Sequence, residues 1–194
     1  MKPMSILALA VASAACVVAA MPFTAGGSDD EASPIYGVRL PQGYRDWHLI
    51  AVAQLAGGKS DDMPVVKAHM ALKQLRAQLG NDLAIKAFRD GTRPFPDGAI
   101  IAALHWNEDS SDTDNQALAA GFPGLGLASS FAGSAMNVQF MVKDSKKYAA
   151  SGGWGFADFT NGKPGNEALH AKCFSCHQPA KDRDYVFTHY APTP

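Results

Sequence analysis

The chain has 194 residues, 47% of them hydrophobic and 18% charged, with a formal net charge of -1, which is the composition of one globular domain with a core of useful size. That balance excludes the basic stripe that phosphate contacts require, so nucleic acid is not an expected partner. It also excludes a long tail of one charge sign.

In chain order, Lys2 gives a short positive start, and Ser5 to Ala20 is an almost unbroken run of small and apolar side chains. This predicts a signal peptide over residues 1–20, because the run is short for a bilayer span and Val18-Ala19-Ala20 offers small residues at alternate positions. Cleavage within Thr24-Ala25-Gly26, an N-terminal membrane anchor and lipid attachment at Cys16 are the alternatives. The periplasm is the expected location. Residues 21–34 are rich in Gly, Ser, Asp and Glu and read as a flexible lead-in, with one domain expected over 35–194.

Tyr44 to Val52 has the aromatic and β-branched content of a strand, and Gly57 to Asp62 reads as a loop. Val65 to Leu79 fits a helix by its leucine spacing and a strand by alternation, and its type stays open. Asn81 is placed to cap a short helix, Asp82 to Arg89, that Gly91 ends. The prolines and Asp-Gly pair of Arg93 to Gly98 predict a turn, delivering Ala99 to Leu104 as a strand. Polar Asn107 to Asn115 and glycine-rich Gly121 to Gly133 both read as loop. In Met136 to Lys143, Val138, Phe140 and Val142 alternate with Asn137, Gln139, Met141 and Lys143, the pattern of a strand with one buried face. Lys146 to Ala150 fits one helical turn, Trp154 to Phe159 a strand, and Asn166 to Cys173 a short helix.

That helix leads into Cys173-Phe174-Ser175-Cys176-His177. In a Cys-x-x-Cys-His segment two thiols can bond the vinyl groups of a haem while the histidine sits under the iron. The motif therefore predicts one covalently bound haem c, held by Cys173 and Cys176, with His177 as proximal axial ligand. A zinc site would want a second cysteine pair, a thioredoxin-like pair an earlier position, and a plain disulfide leaves His177 to chance. Downstream of the motif there is no Met, and His189 is the only conventional ligand. A sixth ligand would have to come from His69, Met70, His105, Met136 or Met141; an open distal face is the simpler expectation and favours small-ligand chemistry. With 18 Gly and 12 Pro, a helical bundle is disfavoured and an antiparallel sheet expected.

Tyr44-Arg45-Asp46-Trp47, Leu79-Gly80-Asn81-Asp82, Phe95-Pro96-Asp97-Gly98, Met141-Val142-Lys143-Asp144, Gly152-Gly153-Trp154-Gly155, the haem motif and Asp184-Tyr185-Val186-Phe187-Thr188 together resemble the cytochrome P-460 family. The resemblance implies an α+β fold, predominantly antiparallel β-sheet with a few short helices and a C-terminal c-type haem motif. It also implies a five-coordinate haem, commonly in a homodimer. Characterised members oxidise hydroxylamine, and relatives, the cytochromes c-prime-beta, bind nitric oxide or carbon monoxide. The oxidising members cross-link a lysine to the haem edge, at a position that matches Ala103 here; Lys86 and Lys143 lie in other matched segments. The family's distal arginine matches Arg76. These residues predict a protein handling nitric oxide or hydroxylamine, with a periplasmic electron carrier as partner if it is redox-active. Whether it turns substrate over stays open, and a plain electron-transfer cytochrome is the alternative.

Overall fold

The computed structural model describes residues 32–56 and 73–191. The leader, the loop at 57–62 and residues 65–72, including His69 and Met70, lie outside the described residues. Six strands form one antiparallel sheet in sequence order: β1 (His48–Ala56), β2 (Lys73–Gly80), β3 (Ile100–Asp109), β4 (Phe131–Lys143), β5 (Trp154–Thr160) and the short β6 (Lys163–Pro164). Among the described residues three helices accompany it: α1 (Asp82–Asp90), α2 (Asp112–Gly121) and α3 (Glu167–His177). The fold is α+β, as expected. No helix among the described residues is long and apolar enough to cross a membrane.

Alternation along the strands divides the sheet into two faces. On one, Leu79, Ala102, Leu104, Val138, Phe140, Ala157 and Phe159 pack under Val38, Tyr148, Tyr44 and Trp47. On the other, Ile101, Met141 and Phe156 pack against Ala84, Ile85, Ala87 and Phe88 of α1, and against Cys173 and Phe174 of α3. Phe140, Phe159 and Trp154 are among the largest fully buried side chains, each adding about 1.5–3 kcal/mol over an exposed position. Ser33 is already part of this structure, its hydroxyl donating to the Phe156 carbonyl at 3.1 Å.

Asn81 ties α1 to the sheet. Its Oδ1 accepts from the N–H of Ala84 and of Ile100, both at 3.0 Å, and its amide donates to Gly98 O at 2.8 Å. Gly91 ends the helix at φ 66°, where a side chain would be strained.

Several expectations are corrected. The open segment at 65–79 is a strand where it is described, from Lys73 on. Tyr44–Asp46 is a 3-10 turn, and β1 begins only at His48. The polar stretch 107–115 is not loop: β3 runs on to Asp109, and Ser111 caps α2 by accepting from the Asp114 N–H at 3.1 Å. None of α2 is buried, so it carries no apolar stripe for periodicity to reveal. β4 starts at Phe131, within the stretch 121–133 read as loop. Finally, β4 and β5 are buried on both faces where the helices cover them: Met141 and Lys143 are as enclosed as Val138 and Phe140.

Candidate functional site

The two cysteines and the histidine of the motif all lie on α3. Asn166 caps this helix, accepting from the Leu169 N–H at 2.9 Å. His170 fixes the helix to β5: its Nδ1 donates to Asn166 O at 2.8 Å, and its Nε2 accepts from the Asp158 N–H at 3.2 Å. Cys173 points inward and Cys176 outward, and both are free thiols. Burial, the Asp158 charge and Cys176 push the Cys173 thiol up to about 12.

His177 stands at the helix end, its ring 5.0 Å from that of Phe156 and 5.2 Å from that of Phe187. Its Nδ1 donates to the Tyr185 carbonyl at 2.7 Å. That bond fixes the tautomer and leaves Nε2, with its lone pair, as the nitrogen able to ligate. Burial lowers the His177 pKa, the Tyr185 bond opposing it, so the neutral, ligating form is favoured.

The Tyr185 carbonyl is itself held by a network. Asp184 and Tyr185 both have positive φ, 54° and 64°, an uncommon conformation for residues with side chains. Asp184 is locked there by Lys143, whose Nζ lies 2.8 and 2.9 Å from the two carboxylate oxygens, and by the Phe95 N–H at 2.8 Å. The Trp154 indole donates to Asp184 O at 2.8 Å. Lys143 also donates to Gly152 O at 3.2 Å, and a Cβ on Gly152 would fall 2.2 Å from the Tyr185 ring.

In front of α3 the same sheet face continues in registered rows. Gly80, Ile101, Met141 and Phe156 form the covered apolar row; Gln78, Ala103, Gln139 and Asp158 the next; Arg76, His105 and Asn137 the one after. Ala103 is half-buried, between Gln78 and Gln139. The Arg76 guanidinium donates from Nε and Nη2 to Gln74 Oε1 at 3.2 and 2.9 Å, and burial lowers its pKa. Arg76, Ala103 and the motif thus share one side of the sheet. Lys86 pairs with Asp90 on the surface, and Lys143, two residues along β4 from Met141 on this same face, is engaged with Asp184, so both amines are already paired. Of the described sixth-ligand candidates, Met141 is core, Met136 Sδ accepts from Gln74 Nε2 at 3.4 Å, and His105 is buried.

The sequence reading missed the Lys143–Asp184 pair and the buried Asp158. Asp158 had a visible signal: a carboxylate inside the apolar run Trp154 to Phe159. Lys143 had none, since a lysine at a polar strand position ordinarily faces water.

Among the described residues no group of three or more His, Cys, Asp or Glu is arranged to hold a bare metal ion. One oriented imidazole beside two unpaired thiols fits instead a metal carried in a macrocycle. That donor set is compatible with a haem cytochrome. The match to known proteins is specific: the chain belongs to the cytochrome P460 family, whose family model covers residues 41–188. No curated protein matches the chain.

Proposed function

We propose that this protein is an exported mono-haem c-type cytochrome of the periplasm that handles small nitrogen ligands, by reversible nitric oxide binding or by oxidation of hydroxylamine. The observation that carries the reading is His177, held through Nδ1 on Tyr185 at 2.7 Å with Nε2 left to ligate, beside two free cysteines and a polar sheet face. Cys173 and Cys176 would hold the porphyrin covalently. When bound, the haem supplies an iron that takes a small ligand and changes oxidation state.

The chain's own residues set the rest. Arg76 brings guanidinium donors to the face where a polar ligand would lie. Ala103 offers a methyl group where the hydroxylamine-oxidising relatives have a cross-linking lysine, which favours ligand binding over turnover. A homodimer and an external electron carrier are the partners this reading expects.

Absorption spectra of protein made in a host that matures c-type haem test it. The expected result is a polypeptide mass increased by one haem, a high-spin ferric form, an unshifted ferrous Soret band and a ferrous form that takes up nitric oxide. A low-spin, six-coordinate haem in both oxidation states would replace it with plain electron transfer.

A further inference from the structure

The sheet face in front of α3 carries a buried carboxylate, that of Asp158, which is 2% exposed. Its Oδ2 accepts from Asn137 Nδ2 at 2.6 Å and from Gln139 Nε2 at 2.9 Å, both from β4. Its Oδ1 is buried with no hydrogen-bond partner, and so is Oδ1 of the neighbouring Asn137. The Asp158 backbone is fixed through its N–H on His170, and the carboxylate is close enough to Cys173 to raise that thiol's pKa.

Two buried acceptors on side chains that are bonded to each other, each lacking a donor, are costly unless something with N–H or O–H reaches them. The two side-chain donors from β4 both go to Oδ2, which leaves the Oδ1 corner for a molecule from outside. Asn137, Gln139 and Ala103 remain half-exposed, so the face beside that corner is open to a small ligand. Nitric oxide and carbon monoxide bring no proton to such a corner. Hydroxylamine and hydrazine bring several.

We propose that Asp158 and Asn137 form a subsite for the N–H or O–H end of a small ligand in the haem crevice, selecting protonated nitrogen ligands over diatomic gases. The inference rests on the small-ligand reading of this face. It goes beyond that reading in naming the residues that discriminate and the direction of discrimination.

Asp158→Asn is the informative variant. Its side-chain oxygen can keep both bonds from Asn137 and Gln139, which places the new NH2 in the Oδ1 corner and turns an acceptor into a donor. Asn137 Oδ1 can then accept from that NH2 and close the subsite. Spectral titrations of the haem-loaded protein with hydroxylamine, hydrazine and carbon monoxide read the result, with far-UV circular dichroism to show the fold intact. The expected outcome is a loss of about tenfold or more in hydroxylamine and hydrazine affinity, the range for a charge-assisted hydrogen bond, with carbon monoxide affinity unchanged within about twofold. Asn137→Ala, which removes the second acceptor together with one donor to Asp158 Oδ2, is expected to shift the same two ligands in the same direction. Unchanged hydroxylamine affinity in both variants would mean that the corner holds only water, and an equal loss for all three ligands would mean general disturbance; either overturns the subsite while leaving the small-ligand reading intact. If wild-type haem protein binds none of the three, the small-ligand reading falls and the subsite with it.

Discussion

Replacing Lys143 with Met should be among the most damaging single changes available in this protein. The side chains of Lys143 and Asp184 are only 4% and 9% exposed, so removing the ammonium leaves the carboxylate buried with the main-chain N–H of Phe95 as its remaining hydrogen-bond donor and the Arg93 charge as its remaining cation. Breaking a buried pair from one side costs about 3–5 kcal/mol, and for a chain of this size that lowers Tm by about 6–20 °C. Losing the Gly152 contact, at 3.2 Å, and the ammonium 4.8 Å above the Trp154 ring places the effect toward the upper end. Replacing both residues, Lys143→Met with Asp184→Leu, removes the stranded charge, so the double variant should be less destabilised than the two single losses added together. Urea unfolding of the three variants measures this directly. A Lys143→Met cost below about 1 kcal/mol, or strict additivity in the cycle, would refute the claim that this pair is a buried, coupled support for the Tyr185 turn.

Gly152→Ala puts a Cβ 2.2 Å from the Tyr185 ring at a backbone φ of 68°; it should cost about 2–4 kcal/mol and, by displacing Tyr185, alter the haem spectrum, and a variant with wild-type Tm and spectrum would contradict the packing described here. In haem-free protein, iodoacetamide followed by mass spectrometry should label exposed Cys176 before Cys173, whose thiol is pushed up to about 12. The folded chain then keeps a proton that the unfolded chain releases, so this thiol's contribution to stability is present below pH 9 and is lost as pH rises above it; equal labelling of both cysteines at pH 9 would argue against its burial. Ala103→Lys supplies an amine at the position where relatives cross-link, and a red-shifted ferrous Soret band is expected. Absence of both the shift and hydroxylamine turnover would show that the strand register, or its importance, is misjudged.

Much of this architecture is legible along the chain, and the exceptions have physical causes. Asn81 and Gly91 announce α1 because a cap and a left-handed stop act locally. The alternation of Val138, Phe140 and Val142 announces β4 because one sheet face is apolar whatever covers it. That pattern says nothing of the other face, which looks polar in sequence and is buried only because α1 and α3 return to cover it. Lys143 therefore reads as a solvent residue and is an interior one. Helix α2 escapes for the opposite reason: it buries nothing, so no stripe marks it, and only the Ser111 and Asp114 cap was there to be read. The motif cysteines and His177 are consecutive enough to be recognised without a fold. The partner that orients His177 is a main-chain carbonyl, and every residue type has one of those.

The same asymmetry explains how the site is built. His177 is oriented from behind through Tyr185, Asp184 and Lys143, a chain of contacts reaching from the C-terminal segment to the last residue of β4. The ligand face lies on the preceding residues of that strand, at Gln139 and Asn137, and on their neighbours Ala103 and Asp158. One strand thus bears both the support of His177 and the polar residues of the proposed ligand face. A change in Lys143 acts on the first through the fold, whereas a change in Asp158 acts on the second through hydrogen bonds to β4 side chains. The two effects are separable because the covered apolar row of Ile101, Met141 and Phe156 lies between them. Rigid packing there would let ligand preference change by substitution on one side without moving the imidazole on the other.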